Sequence, residues 1–279
     1  MRYAKGSLSL NRKEDKFVLE FVADSRYVTR SQLFEFARLE YGEYNRPVFN
    51  WRIRRMVEVG LLRKQAVPIA GGDVLYSINR AGVQALERLG TYYLGAHLER
   101  DREADQFQIP HSLELNEIRL ALLRTCFLMR WVPESFIRVV NLSPLDSYAK
   151  VYDGIATLDL AGSRVDLAVE YERTLKSPAK YEKIREAIES EKRIAAFLYL
   201  VPTRDLLMSL LRAFWRTKQF VLFGMVGDFK RERLGAMVYE ANYNRIPLVQ
   251  ALTRVGSKKT GTQETLDGRR VLSPKQERA

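Results

Sequence analysis

The stretch that decides the fold is VYDGIATLDLAGSRVDLAVEYERTLKS, residues 151–177. Within it, apolar Val165, Leu167 and Val169 alternate with polar or small residues, and this period of two predicts a strand. A second short strand precedes it, and Gly162 marks a tight turn between the two. The segment is therefore predicted to form a two-stranded hairpin.

The hairpin carries three acidic side chains. Glu170 and Glu172 lie on one face of the second strand because they are two residues apart. A two-residue turn that begins at Ala161 places Asp153 opposite Glu170, and one that begins at Gly162 places it opposite Glu172. A three-residue loop turns Asp153 to the other face. The sequence leaves these registers open.

Three carboxylates on neighbouring strands repel one another, and a bound cation would relieve this repulsion. Mg²⁺ and Mn²⁺ prefer oxygen ligands and assist phosphodiester hydrolysis, so Asp153 and Glu170 are candidate metal ligands. The other interpretation of the same spacing is a solvated hairpin face with carboxylates at its rim.

Composition excludes several other classes of function. The 279 residues include one cysteine, Cys126, and two histidines, which rules out an internal disulfide and a zinc site built from these residue types. No apolar run is long enough to span a membrane or to direct secretion, so we expect a cytoplasmic protein without membrane contact.

The charge distribution suggests a polyanionic partner such as double-stranded DNA. The formal net charge is +12. Residues 1–90 carry 16 Lys and Arg against 10 Asp and Glu, residues 91–253 carry 23 against 21, and residues 254–279 carry 7 against 3. The positive excess therefore lies mostly at the two ends of the chain.

The first 90 residues have the element order of a winged helix-turn-helix domain. Periodicity predicts a helix over 14–26, a second helix after the capping box at 29–32, and a third over 47–59. Two short strands around a glycine turn at 71–72 follow, and then a helix that begins after Asn79.

In a winged helix the third helix enters the major groove of DNA. Arg52 and Arg55 are predicted to lie one turn apart on its outward face, where both can reach phosphates or guanine edges. A winged helix used for protein pairing, with solvated arginines, is the other interpretation. The candidate DNA-binding residues are Arg46, Arg52, Arg54, Arg55, Arg63 and Lys64.

The remaining chain predicts a second domain and a tail. Residues 91–110 are rich in charge, break the periodicity and are predicted to be a linker that contains a partly helical piece. Over 111–240, a helix, strands and the hairpin precede alternating helices and strands, which indicates an α/β sandwich with a mixed sheet. Residues 241–279 are predicted to be a basic, flexible tail.

Four pieces of sequence, taken in order, resemble the replication-relaxation family of plasmid and integrative-element proteins. They are VLYSINRAGVQALERLG (74–90), HSLELNEIRLALL (111–123), YDGIATL (152–158) and LAVEYERTLKSPAKYEKI (167–184). The resemblance implies a DNA-binding winged helix followed by an α/β/α domain of the PD-(D/E)XK type, the restriction-endonuclease-like fold. It also implies a role in plasmid replication, DNA relaxation or mobilization.

The resemblance also implies roles for individual residues. Asp153 and Glu170 match the two acidic residues of the nuclease motif, and Glu172 stands where that motif usually has lysine. Glu117 corresponds to the additional helical acid that some of these nucleases use. The candidate catalytic residues are Asp153, Glu170, Glu172 and Lys183, and the candidate metal ligands are Asp153, Glu170 and Glu117.

The position of Glu172 leaves the activity open, because Lys183 or Lys176 would have to supply the missing cation. We therefore weigh three functions. The favoured one is a DNA-binding accessory protein of plasmid or mobile-element replication or mobilization, with a possible Mg²⁺- or Mn²⁺-dependent endonuclease or nickase and a relaxase or replication protein as partner. The second is a transcriptional regulator that uses an inactive nuclease scaffold to form homodimers or bind a partner. The third is an interaction scaffold that needs no DNA.

Overall fold

A computed structural model describes residue 10 and residues 13–66, 73–91, 104–143 and 146–260. The predicted glycine turn at 71–72 and residues 261–279 of the predicted tail lie outside these ranges. Within them, no helix is both long and apolar enough to cross a lipid bilayer.

The N-terminal elements follow the order predicted for a winged helix. They are α1 (Glu14–Ser25), β1 (Val28–Thr29), α2 (Arg30–Tyr41), α3 (Arg46–Glu58), β2 (Leu62–Ala66), β3 (Val74–Ile78) and α4 (Arg80–Arg88). The three strands form an antiparallel sheet in the order β1-β3-β2. Helix α2 begins with the expected capping box, in which Thr29 and Gln32 exchange hydrogen bonds.

The second half consists of alternating helices and strands. Its helices are α5 (Ala104–Leu123), α6 (Glu134–Val140), α7 (Pro178–Ser190), α8 (Arg204–Phe214), α9 (Val226–Glu232) and α10 (Leu248–Thr260). Its strands are β4 (Leu128–Pro133), β5 (Gly154–Leu160), β6 (Ser163–Tyr171), β7 (Ala196–Val201), β8 (Val221–Met225), β9 (Met237–Glu240) and β10 (Arg245–Pro247).

These strands form one mixed sheet with helices on both faces. The strand order is β10-β9-β8-β7-β6-β5-β4, and only the neighbours β6, β7 and β8 run parallel. Ile118 of α5 and Phe229 of α9 are buried against one face, whereas Ile188 of α7 and Leu210 of α8 are buried against the other. The predicted mixed α/β class, with helices sandwiching a mixed sheet, is confirmed.

The hairpin adopts the first of the predicted registers. Leu160 pairs with Ser163, so Ala161 and Gly162 form a two-residue turn. Their φ angles of 54° and 86° are both positive, as a type I′ turn requires. The pairing of Gly154 with Val169 brings Asp153, immediately before β5, to the level of Glu170.

Helix α5 packs on both halves of the molecule. Its Leu120 belongs to the core of the N-terminal elements, together with Phe21 and Phe36. Its Ile118 and Leu122 belong to the core on one face of the large sheet. The two hydrophobic cores therefore meet along a single helix.

Two predicted boundaries are wrong. Residues 104–110, predicted to be linker, belong to α5, whose Ile109 is buried beside Tyr27 and Leu75. Residues 245–260, predicted to be tail, form β10 and α10, because Leu248 and Leu252 are buried against the large sheet. In both places a few apolar side chains with tertiary partners outweigh a polar local composition.

Candidate functional site

A cleft of about 610 Å³ lies between the N-terminal elements and the large sheet. The end of α1 contributes Arg26, α5 contributes His111, and β4 contributes Trp131. The three hairpin carboxylates, Asp153, Glu170 and Glu172, also line it. The structure thus brings together the acidic residues that the sequence singled out in the hairpin.

Asp153 is held by a backbone amide and a histidine. Its Oδ2 accepts a hydrogen bond of 2.8 Å from the backbone N–H of Tyr171 and lies 3.2 Å from Nε2 of His111. Burial would raise the pKa of Asp153, but the hydrogen bond and charge of His111 hold it below the ordinary value. Burial would lower the pKa of His111, and the same contact with Asp153 raises it above its ordinary value.

Glu170 lies near the end of β6, and its carboxylate is bonded to the ammonium of Lys150. The Glu170 side chain is only 15% exposed. Burial raises the pKa of Glu170 to about 7, because the nearby negative charge of Asp153 adds to the effect of burial and together they outweigh Lys150. The two carboxylates are therefore close enough to influence one another.

Glu172 is the most buried of the three carboxylates, at 6% exposure, and it forms an ion pair with Lys176. Both residues line the cleft. Lys176, four residues after the motif position occupied by Glu172, thus brings an ammonium group next to that position. Of the two lysines that the sequence offered as a substitute cation, this one lies in the cleft.

Two other predicted site residues lie elsewhere. Glu117 accepts a hydrogen bond of 2.8 Å from Nε2 of Gln32 at the start of α2 and does not line the cleft, so its predicted place beside Asp153 is wrong. Lys183 is exposed on α7 and also does not line the cleft, so the structure does not place it with the carboxylates as predicted. The helical phase of α5 explains the first error, because the face toward the cleft includes His111, Leu115 and Arg119.

Sequence reasoning missed two residues of the site, Lys150 and His111. Lys150 stands three residues before Asp153, in the turn that leads into β5, and alternation along the strand gives no signal there. His111 is one of two histidines, too few for a zinc site, and this count gives no sign of a place beside Asp153. The spacing of His111, four and eight residues from Leu115 and Arg119, could have placed it on their face of α5.

The donor set fits a magnesium-type ion held by two carboxylates. In the described ranges no three His, Cys, Asp or Glu side chains are grouped so that they could hold a metal, which argues against the predicted three-acid site. Mg²⁺ needs fewer, because it commonly binds through one or two carboxylates and keeps water or phosphate as its other ligands. Asp153 and Glu170 supply these two, and Glu170 would exchange its bond to Lys150 for the cation.

A second charged surface lies on the outside of α3. Arg54 is exposed, the guanidinium of Arg55 lies 4.6 Å from the ring centroid of Trp51, and that ring is 53% exposed. Nearby Tyr44 and Val48 are exposed as well. Three other candidate DNA-binding residues are also exposed, namely Arg46, Arg63 and Lys64. We refer to Val48, Trp51, Arg54 and Arg55 as the α3 face.

Arg52 does not belong to this face, so its predicted outward orientation is wrong. Its side chain is 15% exposed and contacts three carboxylates. Asp15 lies 3.3 Å from it, Glu43 lies 3.1 Å from it, and Glu14 forms a further ion pair. These acids come from α1 and from the loop before α3, and they occupy the donors that a phosphate would need.

Comparison with known structures returns the restriction endonuclease FokI in two states. FokI bound to DNA gives a TM-score of 0.26 at 11% identity, over 77% of this chain and 43% of FokI. A second FokI structure gives 0.26 at 10% identity, over 80% of this chain and 45% of FokI. The chain thus spans less than half the length of the endonuclease to which it is weakly similar.

No protein-family model and no curated protein matches the sequence. The resemblance to the replication-relaxation family therefore stays a prediction.

Proposed function

We propose that this protein binds double-stranded DNA and hydrolyses a phosphodiester bond in the cleft with Mg²⁺ or Mn²⁺. The observation that carries the proposal is the pair of carboxylates, Asp153 immediately before β5 and Glu170 on the neighbouring β6, both of which line the cleft. Lys150 and Lys176, which pair with Glu170 and Glu172, are the cations that could offset the charge of a cleaved phosphate here.

Asp153 and Glu170 are the residues that would hold the cation. When bound, such a cation polarises the scissile phosphate and lowers the pKa of an attacking water. His111 and the Tyr171 N–H fix the orientation of the Asp153 carboxylate. Lys176 places its ammonium group next to Glu172, the residue that stands where the predicted motif usually has lysine.

DNA binding is assigned to the α3 face. Exposed Arg54 and the stacked Arg55 and Trp51 offer guanidinium and aromatic groups to the phosphates and base edges of a groove. The positive excess of residues 1–90 supports the same assignment. Arg52 is left out because its charge is already matched by acidic neighbours.

The biological setting that we propose is replication or mobilization of a plasmid or mobile element. It rests on the resemblance of the four sequence pieces named above. A relaxase or replication protein would be the protein partner in that setting, and a homodimer would match a site with two-fold symmetry.

Supercoiled plasmid provides the test of cleavage. We expect open-circle or linear product with Mg²⁺ or Mn²⁺, none with EDTA, and none from a protein that carries Asp153→Asn and Glu170→Gln. Glu186→Gln is the matched control, because Glu186 is an exposed acid of α7 outside the cleft. Equal cutting by the double variant would remove these carboxylates from catalysis.

A non-enzymatic regulator is the second candidate, and the pairing of the carboxylates favours it. Lys150 and Lys176 already pair with Glu170 and Glu172, so these two carboxylates have cationic partners without a metal. A plasmid that is retarded in a gel but never cut, under any of the metal conditions, would support this function instead.

A further inference from the structure

Besides the hairpin carboxylates, the cleft holds two arginines that share one glutamate. Nη2 of Arg26 lies 3.2 Å from Oε1 and 3.1 Å from Oε2 of Glu134. Nε of Arg138 donates to Oε1 of the same carboxylate at 3.0 Å, and its Nη2 donates to the same oxygen. All three side chains line the cleft that contains Asp153.

One carboxylate cannot neutralise two guanidinium groups, so this trio keeps a net positive charge. It also keeps unused donors. Among the described residues, neither Nε of Arg26 nor Nη1 of Arg138 has a hydrogen-bond acceptor, since Arg26 otherwise bonds only Gln108 through Nη1. Asp24, another acid in the cleft, accepts a bond of 2.7 Å from Ser135.

Backbone geometry marks Arg26 as a special position. It follows the last residue of α1 and has a φ of 59° with a ψ of −56°, outside the regions that non-glycine residues favour. Such strain is retained where surrounding contacts hold it, and it is commonly found at ligand-binding sites. Here the result is that a side chain of the N-terminal half points into the cleft of the sheet.

We propose that Arg26 and Arg138 bind a phosphate of the DNA backbone beside the one that is cut. Guanidinium groups match the paired oxygens of a phosphodiester. Before DNA binds, Glu134 holds both arginines at the cleft. This inference rests on the proposed DNA-binding function. It adds a contact for which neither the hairpin motif nor the α3 face accounts.

The test measures binding of a fluorescent duplex in EDTA over a series of salt concentrations, so that cleavage plays no part. We expect Arg26→Gln and Arg138→Gln each to weaken binding about tenfold and to reduce the salt slope by about one, the value for one lost phosphate contact. Arg164→Gln is the control, because this substitution removes the same charge at an exposed position. Arg164 lies at the start of β6, at the other end of the strand from Glu170.

Glu134→Gln separates binding from folding. Loss of either Arg26 or Glu134 breaks the same ion pair, so a purely structural role would make both variants bind more weakly. A phosphate site predicts opposite signs, since removal of Glu134 releases positive charge toward the DNA and should tighten binding. Thermal melting of each variant shows whether the two lose similar stability.

Each outcome has a distinct meaning. A parent protein that does not bind the duplex overturns the proposed DNA-binding function and this inference with it. A parent that binds, while Arg26→Gln matches Arg164→Gln in affinity and slope, overturns the arginine site alone. Stabilisation by inorganic phosphate that depends on Arg26, with duplex affinity unchanged, assigns the arginines to a free phosphate and likewise overturns the DNA contact.

Discussion

The α3 face and the cleft both carry many charged groups, but the surroundings of these groups differ. On the α3 face Arg54 is exposed, and the guanidinium of Arg55 packs on the ring of Trp51, a residue that is itself half exposed. In the cleft Asp153 contacts His111, and the other two hairpin carboxylates are bonded to lysine. The difference suggests that the first surface acts through long-range attraction and the second through fixed geometry.

Substitution at Gly154 tests the fixed geometry most severely. A Cβ at this position would lie 2.1 Å from the ring of Trp131, which lines the cleft. We expect Gly154→Ala to lower the free energy of unfolding by about 3 kcal/mol, because an overpacked site must shift a large ring or the strand. Denaturant unfolding measures this loss.

Gly227→Ala is the matched control for Gly154→Ala. Its Cβ would meet nothing within 4 Å, and the residue lies in α9. We expect it to be neutral or slightly stabilising, as alanine favours helices. Equal stability of the two variants would show that the Trp131 ring or the strand can shift at little cost. That result would contradict a fixed geometry in the cleft.

The α3 face should respond in binding rather than in stability. We expect Arg54→Ala with Arg55→Ala to weaken duplex binding by about 2 kcal/mol, roughly 1 kcal/mol for each contact, with little change in unfolding. Arg52→Ala is the informative comparison, because Arg52 is tied to acids of α1. It should destabilise the fold and leave the salt slope of binding intact.

Greater loss of duplex affinity in Arg52→Ala than in the double variant, at equal stability, would restore Arg52 as a DNA-contacting residue. Anisotropy and thermal melting on the same preparations distinguish the two results.

Lys176 provides a smaller test of the pairing in the cleft. Lys176→Met leaves the buried carboxylate of Glu172 without its ammonium partner, and we expect a loss of about 1.5 kcal/mol of stability, below the value for a fully buried pair. Lys183→Met, at an exposed position of α7, should change stability by less than about 0.5 kcal/mol. Equal values would mean that the Glu172 pair is no more than a surface contact.

The smallest effect concerns Glu35 of α2, which bonds Arg38 on the same helix and Arg124 just after the end of α5. The hydrogen bond from Arg38, helped by Arg124, outweighs burial and lowers the pKa of Glu35 from 4.5 to about 2. A lowered folded-state pKa stabilises the fold above pH 4.5, and this contribution is lost as the pH falls through about 2.

Glu35→Gln should therefore cost under about 1 kcal/mol at neutral pH, because solvent screens this partly exposed group. The difference from the parent should shrink as the pH falls below 4.5. Denaturant unfolding at several pH values measures it, with Glu186→Gln as a control. A difference that grows toward acid would contradict the assigned direction of the shift.

Local patterns predicted much of the fold. Alternation at Val165, Leu167 and Val169 identified β6, and the capping box at the start of α2 was placed correctly because both depend on neighbours in sequence. The register of the hairpin could only be narrowed to alternatives. The pairing of Leu160 with Ser163 decides between these registers, and the positive φ angles of Ala161 and Gly162 agree with it.

The site was less predictable, because its contacts join distant parts of the chain. A helical wheel places Arg52 outward, but it cannot show that acids of α1 lie against that position. The packing of α5 likewise turns His111 toward the cleft and Glu117 toward Gln32. Such pairings depend on how helices pack, and a period of 3.6 residues carries no information about the partner.

The sharing of α5 between two hydrophobic cores has a consequence for how the chain unfolds. Leu120 serves one core while Ile118 and Leu122 serve the other, so melting of either core exposes apolar surface on the same helix. The halves should therefore lose structure in one cooperative transition. Recombination that exchanged the N-terminal half alone would have to bring a matching α5 with it.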